Sequence, residues 1–234
     1  MIVTDLVPKG KRQVVVWIDG EPSGILENRE VSGYRLEAGT ELEPVQWEKI
    51  VNEAILPRGK RKALELLEVH DRTTKELHDK MLSSGFTEAQ TWDIIAYVMS
   101  FHYIDEERYA VSYFSRHASA KSFREMQQTL LRKGVAQETI DSAYRKYRAE
   151  AEDAKGREDS ADDGEPDDDR HGNEVELSAV RRFVEKRLRG KTITRAERDK
   201  VYAGLIRKGF DYAAIQKVFS EYTVVGDGAE ETEW

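Results

Sequence analysis

Arg181, Arg182, Lys186 and Arg189 fall within two helical turns of one another, and Arg181, Arg182, Lys186 and Arg187 are the stronger candidates among these cations. Four cations that close can share one face, and the chemistry they suit is the recognition of anions. No helix end demands so many charges in mid-helix. A second set, Arg132-Lys133 and Arg207-Lys208, stands directly before Gly134 and Gly209, with Arg124 one turn upstream of the first pair's helix centre. Cations at a helix end also offset the negative end of the helix dipole, so these carry two readings. The nine residues together are the candidates for gripping a polyanion or an acidic protein surface. The competing reading is an ordinary solvated face.

Other chemistry is poorly supplied. Gly190-Lys191-Thr192 resembles the end of a phosphate-binding loop, but Glu185 stands where the first glycine belongs, and its carboxylate would repel phosphate. It reads as a helix terminus. Gly59-Lys60-Arg61 fails in the same way. His70, His78, His102, His117 and His171 form no i, i+4 metal pair, and there is no cysteine for a thiolate site or a disulfide. No nucleophile elbow is present. The expectation is a protein without catalytic residues, cofactor or metal.

The net charge of −8 hides a strong asymmetry. Residues 150–176 carry 13 acids and 3 bases, and residues 226–234 carry four acids and no base. Residues 107–148 carry 9 bases and 4 acids, and residues 177–222 carry 12 and 5. The basic candidates therefore sit in two stretches separated by an acidic one. No apolar run approaches the ~20 residues that cross a bilayer, and Met1-Ile2-Val3-Thr4-Asp5 is unlike a secretory signal. A cytoplasmic protein without membrane contact is expected.

The elements that must position these residues repeat. Met81-Leu82-Ser83-Ser84-Gly85-Phe86, Leu130-Leu131-Arg132-Lys133-Gly134-Val135 and Leu205-Ile206-Arg207-Lys208-Gly209-Phe210 share one pattern. Downstream of each glycine, at equal spacing, come Ile94, Ile95 and Val98, then Ala143, Tyr144 and Tyr147, then Val218, Phe219 and Tyr222. Upstream, Thr73 with Glu76, Ser122 with Glu125, and Thr194 with Glu197 have capping-box spacing. Each glycine would end its helix in the left-handed conformation. The pattern predicts three helices per repeat, with the middle helix of the third longer by about one turn, and neighbours covering each other's apolar sides. In repeat one, Ala63, Leu64, Leu66, Leu67, Trp92, Ile95, Val98 and Met99 are expected inward. Tyr103 and Ile104 would lock the joint to repeat two into the core. Asp105 would cap the next helix, and Glu106 and Glu107 would favour its positive end.

Residues 1–56 read as a small β-rich domain: Gln13–Ile18 as a strand, Asp19-Gly20 as a turn, Gly24-Ile25-Leu26 as the return, and one more short strand within Val31–Leu42. A helix over Val45–Ile55 would end at Pro57. The domains expected are 1–56, then repeat one at 57–102, repeat two at 103–149, a disordered acidic linker at 150–176, repeat three at 177–225 and an acidic tail at 226–234.

Together these residues resemble the RecX family, regulators of the bacterial recombinase RecA. Tyr103-Ile104-Asp105-Glu106-Glu107-Arg108-Tyr109-Ala110 is similar to that family's most recognisable motif. Arg72-Thr73-Thr74-Lys75-Glu76-Leu77 is similar to its first-repeat element, and the Lys-Gly endings at Gly134 and Gly209 to its recurring one. The resemblance covers about residues 57–222. An N-terminal sheet is known in some members only.

The resemblance implies a mainly α fold, an elongated curved array of three-helix repeats that binds along the RecA filament. It implies a monomeric regulator that inhibits filament growth, ATP hydrolysis and strand exchange in DNA repair, recombination and the SOS response. Its partners would be RecA and, in some members, single- or double-stranded DNA. The alternative is a helical-repeat nucleic-acid-binding module acting without RecA. That module needs exposed aromatics for stacking, whereas Tyr144, Tyr147, Phe219 and Tyr222 are assigned to the core. The acids of 150–176 are expected to compete for the basic face of repeat three.

Overall fold

The computed structural model describes residues 1–155, 170–188 and 190–225. It divides into two compact bodies, Met1–Glu106 and Glu107–Trp234. The chain is mainly helical with a small N-terminal antiparallel sheet.

The N-terminal body starts with β1 (Val3–Lys9), β2 (Gln13–Ile18) and β3 (Glu21–Glu27), an antiparallel meander in the order β1-β2-β3. Strand β1 lacks the β-branched run that marks β2. Its acid and its Pro8 hide it in the sequence, yet Pro8 lies on an edge strand, where a missing N–H is tolerated. The strand expected within Val31–Leu42 is absent. Helix α1 (Asn28–Gly33) stands there instead, and only an isolated bridge joins Ile2 to Glu41. Glu30 is the cause: its carboxylate accepts the Glu27 N–H at 2.7 Å, closing a capping box that starts a helix.

Helix α2 (Pro44–Ile50), a π-helical turn (Val51–Ile55) and α3 (Leu56–Val69) follow without a break. Pro57 therefore does not end the helix. It occupies the start of α3, just after the wide turn in which the Leu56 N–H reaches back to the Val51 carbonyl. That widened turn relaxes the packing around a residue that cannot donate and whose ring crowds the preceding turn.

Helices α4 (Thr74–Ser84) and α5 (Glu88–Ser100) complete repeat one, and one core joins them to the sheet through Ile25, Leu26, Ile55, Leu77, Met81, Ile94 and Ile95. Arg58 is nearly buried. It donates to the Ile25 carbonyl at 2.7 Å and pairs with Glu30, tying α3 to β3. Trp92 and Met99 are not inward: they are 49% and 48% exposed, at the margin of the α5 face that buries Ile94, Ile95 and Val98. The Trp92 indole instead donates to Glu88, which also bonds His78.

The C-terminal body contains α6 (Glu106–His117, from its second residue), α7 (Phe123–Arg132) and α8 (Gln137–Lys155) as repeat two. Repeat three is α9 (Arg170–Glu185), β4 (Thr192–Thr194), α10 (Arg195–Lys208), α11 (Tyr212–Phe219) and β5 (Thr223–Val225). Each repeat has its own core, centred on Phe114, Leu130 and Ile140 in one and on Val184, Leu205, Ile215 and Val218 in the other. The parallel pair β4–β5 has no counterpart in the other two repeats. The linker expected at 150–176 is narrower than read, because α8 runs on to Lys155 and α9 begins at Arg170. The rest of that segment and the tail at 226–234 lie outside the described residues.

All three glycine endings are alike. Gly85, Gly134 and Gly209 have φ of 102°, 89° and 78°. Each N–H bonds the carbonyl three residues back, and the next residue's N–H bonds the one five back. Phe86, Val135 and Phe210 follow and are buried. This satisfies the orphan carbonyls of the helix and pins its end to the core.

The boxes differ. Those at Thr73 and Thr194 close in both directions. At Ser122 only half forms: the hydroxyl accepts the Glu125 N–H at 3.1 Å and donates to the Lys208 carbonyl at 2.7 Å, while Glu125 turns to Lys208 Nζ at 3.5 Å. Ser122 is wholly buried. Repeat three is thus bonded to repeat two at a capping residue. Ser122→Ala should cost about 2 kcal/mol, roughly one for the cap and one for the bond to the carbonyl. A larger fall in urea midpoint than for Thr87→Ala, a cap bonded only within its own box, checks this.

Candidate anion-binding face of repeat three

Arg181 and Arg182 stand on the last turn and a half of α9, and Lys186 and Arg187 on the turn that follows it, all four exposed. They do not act as one patch. Arg181 forms an ion pair with Glu221, which raises the arginine and holds the Glu221 carboxyl below its usual range. Arg187 lies with its guanidinium 3.6 Å above the Phe183 ring and donates to the Phe183 carbonyl at 3.5 Å. Arg182 and Lys186 have no ion-pair partner among the described residues.

An open groove of about 610 Å³ runs between α9 and α10. Phe183 and Val201 line its apolar side, and Arg187, Lys200, Arg207 and Lys208 its basic side. Lys208 Nζ is 5.9 Å from the Phe183 ring centre. A second groove of about 370 Å³ shares Arg207 and Lys208 and adds Arg124, Glu125 and Gln128 of repeat two. Arg124 packs against Gly209, whose added Cβ would lie 3.0 Å from Arg124 Cδ. Arg124, Arg187, Arg207 and Lys208, far apart in sequence, therefore flank two adjoining grooves.

Arg132 and Lys133 are placed elsewhere. Arg132 donates to the Gln128 carbonyl and the Thr129 hydroxyl of its own helix, and Lys133 Nζ stands 5.6 Å over the Tyr109 ring. These contacts stay within repeat two, at the negative end of α7.

Phe183 and Gly204 were not among the sequence candidates, and Lys200 counted there only as one cation of a basic stretch. The signal was available: Lys200, Gly204 and Arg207 are spaced to share a face of α10, and a glycine inside a helix costs about 1 kcal/mol unless something needs the space. A Cβ on Gly204 would meet Phe183 Cζ at 3.4 Å, an ordinary contact. Gly204→Ala should thus raise the unfolding free energy of the C-terminal body by roughly 0.5–1 kcal/mol while narrowing the groove. Chemical denaturation measures the first effect.

The residues from Tyr103 to Arg108 are placed differently from their reading. Tyr103 is 50% exposed, not core, and sits beside exposed Phe101 at 6.2 Å between ring centres. Ile104 does pack on the N-terminal core, and Tyr109 is buried in repeat two. Asp105 immediately precedes α6, and Arg108 is exposed on its first turn. Glu106 accepts the Thr74 N–H at 3.0 Å. Glu107 accepts the Ser142 hydroxyl and pairs with Lys146, which lowers its carboxyl.

Of the aromatics assigned to the core, Phe219 is buried, and Tyr144, Tyr147 and Tyr222 are half-buried, with burial pushing each phenol up. Among the described residues no helix is long and apolar enough to cross a membrane, and no cluster of three metal-ligating side chains occurs. The Gly190-Lys191-Thr192 stretch feeds strand β4 rather than a helix, so it builds no phosphate loop, and it is not itself a helix end.

Residues 174–219 match a model described as "RecX, third three-helix domain". A Regulatory protein RecX of Caldanaerobacter subterraneus is 24% identical over 94% of this chain and 99% of its own length. One of Levilactobacillus brevis is 23% identical over 100% of this chain and 80% of its own. One of Clostridium beijerinckii matches 60% of this chain at 23% identity, across 66% of that protein. A crystal structure of regulatory protein RecX has the same fold, with a TM-score of 0.55 at 18% identity, covering 94% of this chain and 98% of the other. RecX from Lactobacillus salivarius gives 0.50 at 20% identity over 71% of this chain. A matching third domain, relatives along the whole chain and a shared fold bear out the resemblance to the RecX family read from the sequence.

Proposed function

We propose that this protein binds the filament of the RecA recombinase and lowers its growth, ATP hydrolysis and strand exchange, acting in DNA repair and recombination without catalysis of its own. The observation that carries the reading is the alignment of relatives named regulatory proteins along 94% to 100% of the chain. The basic grooves of the C-terminal body support it, since a recombinase filament offers both protein and DNA phosphate. Titrating the protein into RecA ATPase on single-stranded DNA tests the proposal. A fall in rate is expected; an unchanged rate at several-fold excess of folded protein would refute it.

A second reading, a nucleic-acid module acting without RecA, draws on the exposed aromatics Trp92, Phe101, Tyr103 and Tyr212. It predicts binding to bare single-stranded DNA as tight as to the filament, with steep salt dependence.

The acids between Glu158 and Asp169 would compete for the basic face of repeat three. Because α8 and α9 reach Lys155 and Arg170, neutralising these acids to Asn and Gln is a cleaner test than deletion. Tighter filament binding is expected, measured by fluorescence anisotropy, and an unchanged affinity would make the segment a spacer.

A further inference from the structure

Repeat two already shows how a helix end is held in this protein. The end of α10 rests on the start of α7, where the Ser122 hydroxyl donates to the Lys208 carbonyl, Glu125 pairs with Lys208, and Arg124 lies against Gly209. Three features of the incoming end are read: a last-turn carbonyl, a lysine, and a glycine that lets the chain approach closely.

Counted from the capping residue, Ser122, Glu125 and Gln128 of repeat two are Thr194, Glu197 and Lys200 of repeat three. In repeat three nothing covers them among the described residues. Ser122 is wholly buried, whereas Thr194 is half-buried and Glu197 is exposed. The Thr194 hydroxyl is 3.2 Å from its own Glu197, in place of an incoming carbonyl. Glu197 and Lys200 line the open groove beside Phe183.

We infer that this groove is a socket for the C-terminal end of a helix in a partner protein, one that presents a lysine directly before a left-handed glycine. Thr194 donates to the last-turn carbonyl once its hydroxyl turns from Glu197, and Glu197 takes the lysine. Arg187, Lys200 and Arg207 face the negative end of the incoming helix dipole, and Phe183 supplies an apolar floor. The contact of repeat three on repeat two is the pattern for this face, since the capping positions that hold α10 in repeat two are uncovered in repeat three among the described residues. The inference deepens the filament-binding reading by naming the face used and the chemistry it recognises, but its geometry does not depend on RecA.

The probe is a helix-stapled peptide with the sequence of residues 198–211, the end that fits repeat two, added to the full-length protein. Amide chemical-shift changes should saturate and centre on Thr194, Glu197 and Val201. Two variants keep the fold: Thr194→Asp still caps α10 but cannot donate, and Glu197→Gln keeps the box but loses the lysine's counter-charge. Each should weaken peptide binding on the order of ten-fold, as should Lys208→Glu in the peptide. Shifts that map to Ser122 instead, or affinities unchanged by both variants, would overturn the inference. So would a short oligothymidylate filling the groove while the peptide does not bind. A protein that binds the peptide at Thr194 yet leaves RecA ATPase unaltered would sink the filament reading and leave the socket standing.

Discussion

Gly59→Ala is expected to destabilise the N-terminal body by about 2–3 kcal/mol, the upper part of the range for adding a methyl group to a packed core. Gly59 is buried where α3 crosses α5. A Cβ there would lie 2.2 Å from Ile94 Cδ1, 2.9 Å from Ile94 Cγ1 and 3.0 Å from Phe86 Cε1. Ile94 is itself fully buried in the core shared with the sheet, so it has no empty space to move into. Gly33→Ala makes the contrast, because nothing stands within 4 Å of its Cβ position. That variant should be neutral or slightly stabilising. Denaturant unfolding of both variants decides the matter, and equal midpoints would show that α3 and α5 separate easily.

The second large effect concerns function. Reversing Lys200 and Arg207 together, to Glu, should reduce inhibition of RecA ATPase by ten-fold or more, with the loss greatest at low salt. Both line the groove between α9 and α10, and neither has an ion-pair partner among the described residues. Their charges are therefore available to a partner, and reversing them breaks no internal bond. Arg29→Glu with Lys49→Glu, both highly exposed on the N-terminal body, makes the same change in net charge and is the control. Equal losses in control and double variant would mean that inhibition tracks overall charge rather than this groove.

The repeat was legible because its signals are local. A capping threonine or serine, a glutamate three residues on and a glycine at the far end each act within one helix, so spacing alone reveals them. The sheet edge was harder. Strand β1 has its β-branched residues, Val3, Thr4 and Val7, interrupted by Asp5 and followed by Pro8, and it is held by pairing with β2 across the hairpin. Helix α1 was missed because one glutamate, Glu30, reverses the preference of its segment.

The site was half legible for the same reason. Clustered cations in sequence suggested one patch, but Arg181 is occupied by Glu221, forty residues away. Conversely, Arg124 and Arg207 meet through packing between two repeats. Partners across a fold cannot be counted from charge density along it. The Ser122 box illustrates this best: its sequence is complete, and its second half is given up to Lys208.

The strand pair of repeat three has a consequence for the order of assembly. Strands β4 and β5 lie parallel, with Thr192 opposite Thr223 and Thr194 opposite Val225. Everything between them, α10 and α11, must turn back before the two can meet. Such non-local pairing forms late, after the helices have closed most of the loop. Once formed it acts as a latch, joining the segment that enters α10 to the one that leaves α11. Amide exchange in β4 and β5 should then report the opening of the whole last repeat, and a pull on the C-terminal end would load this latch before it reached any helix.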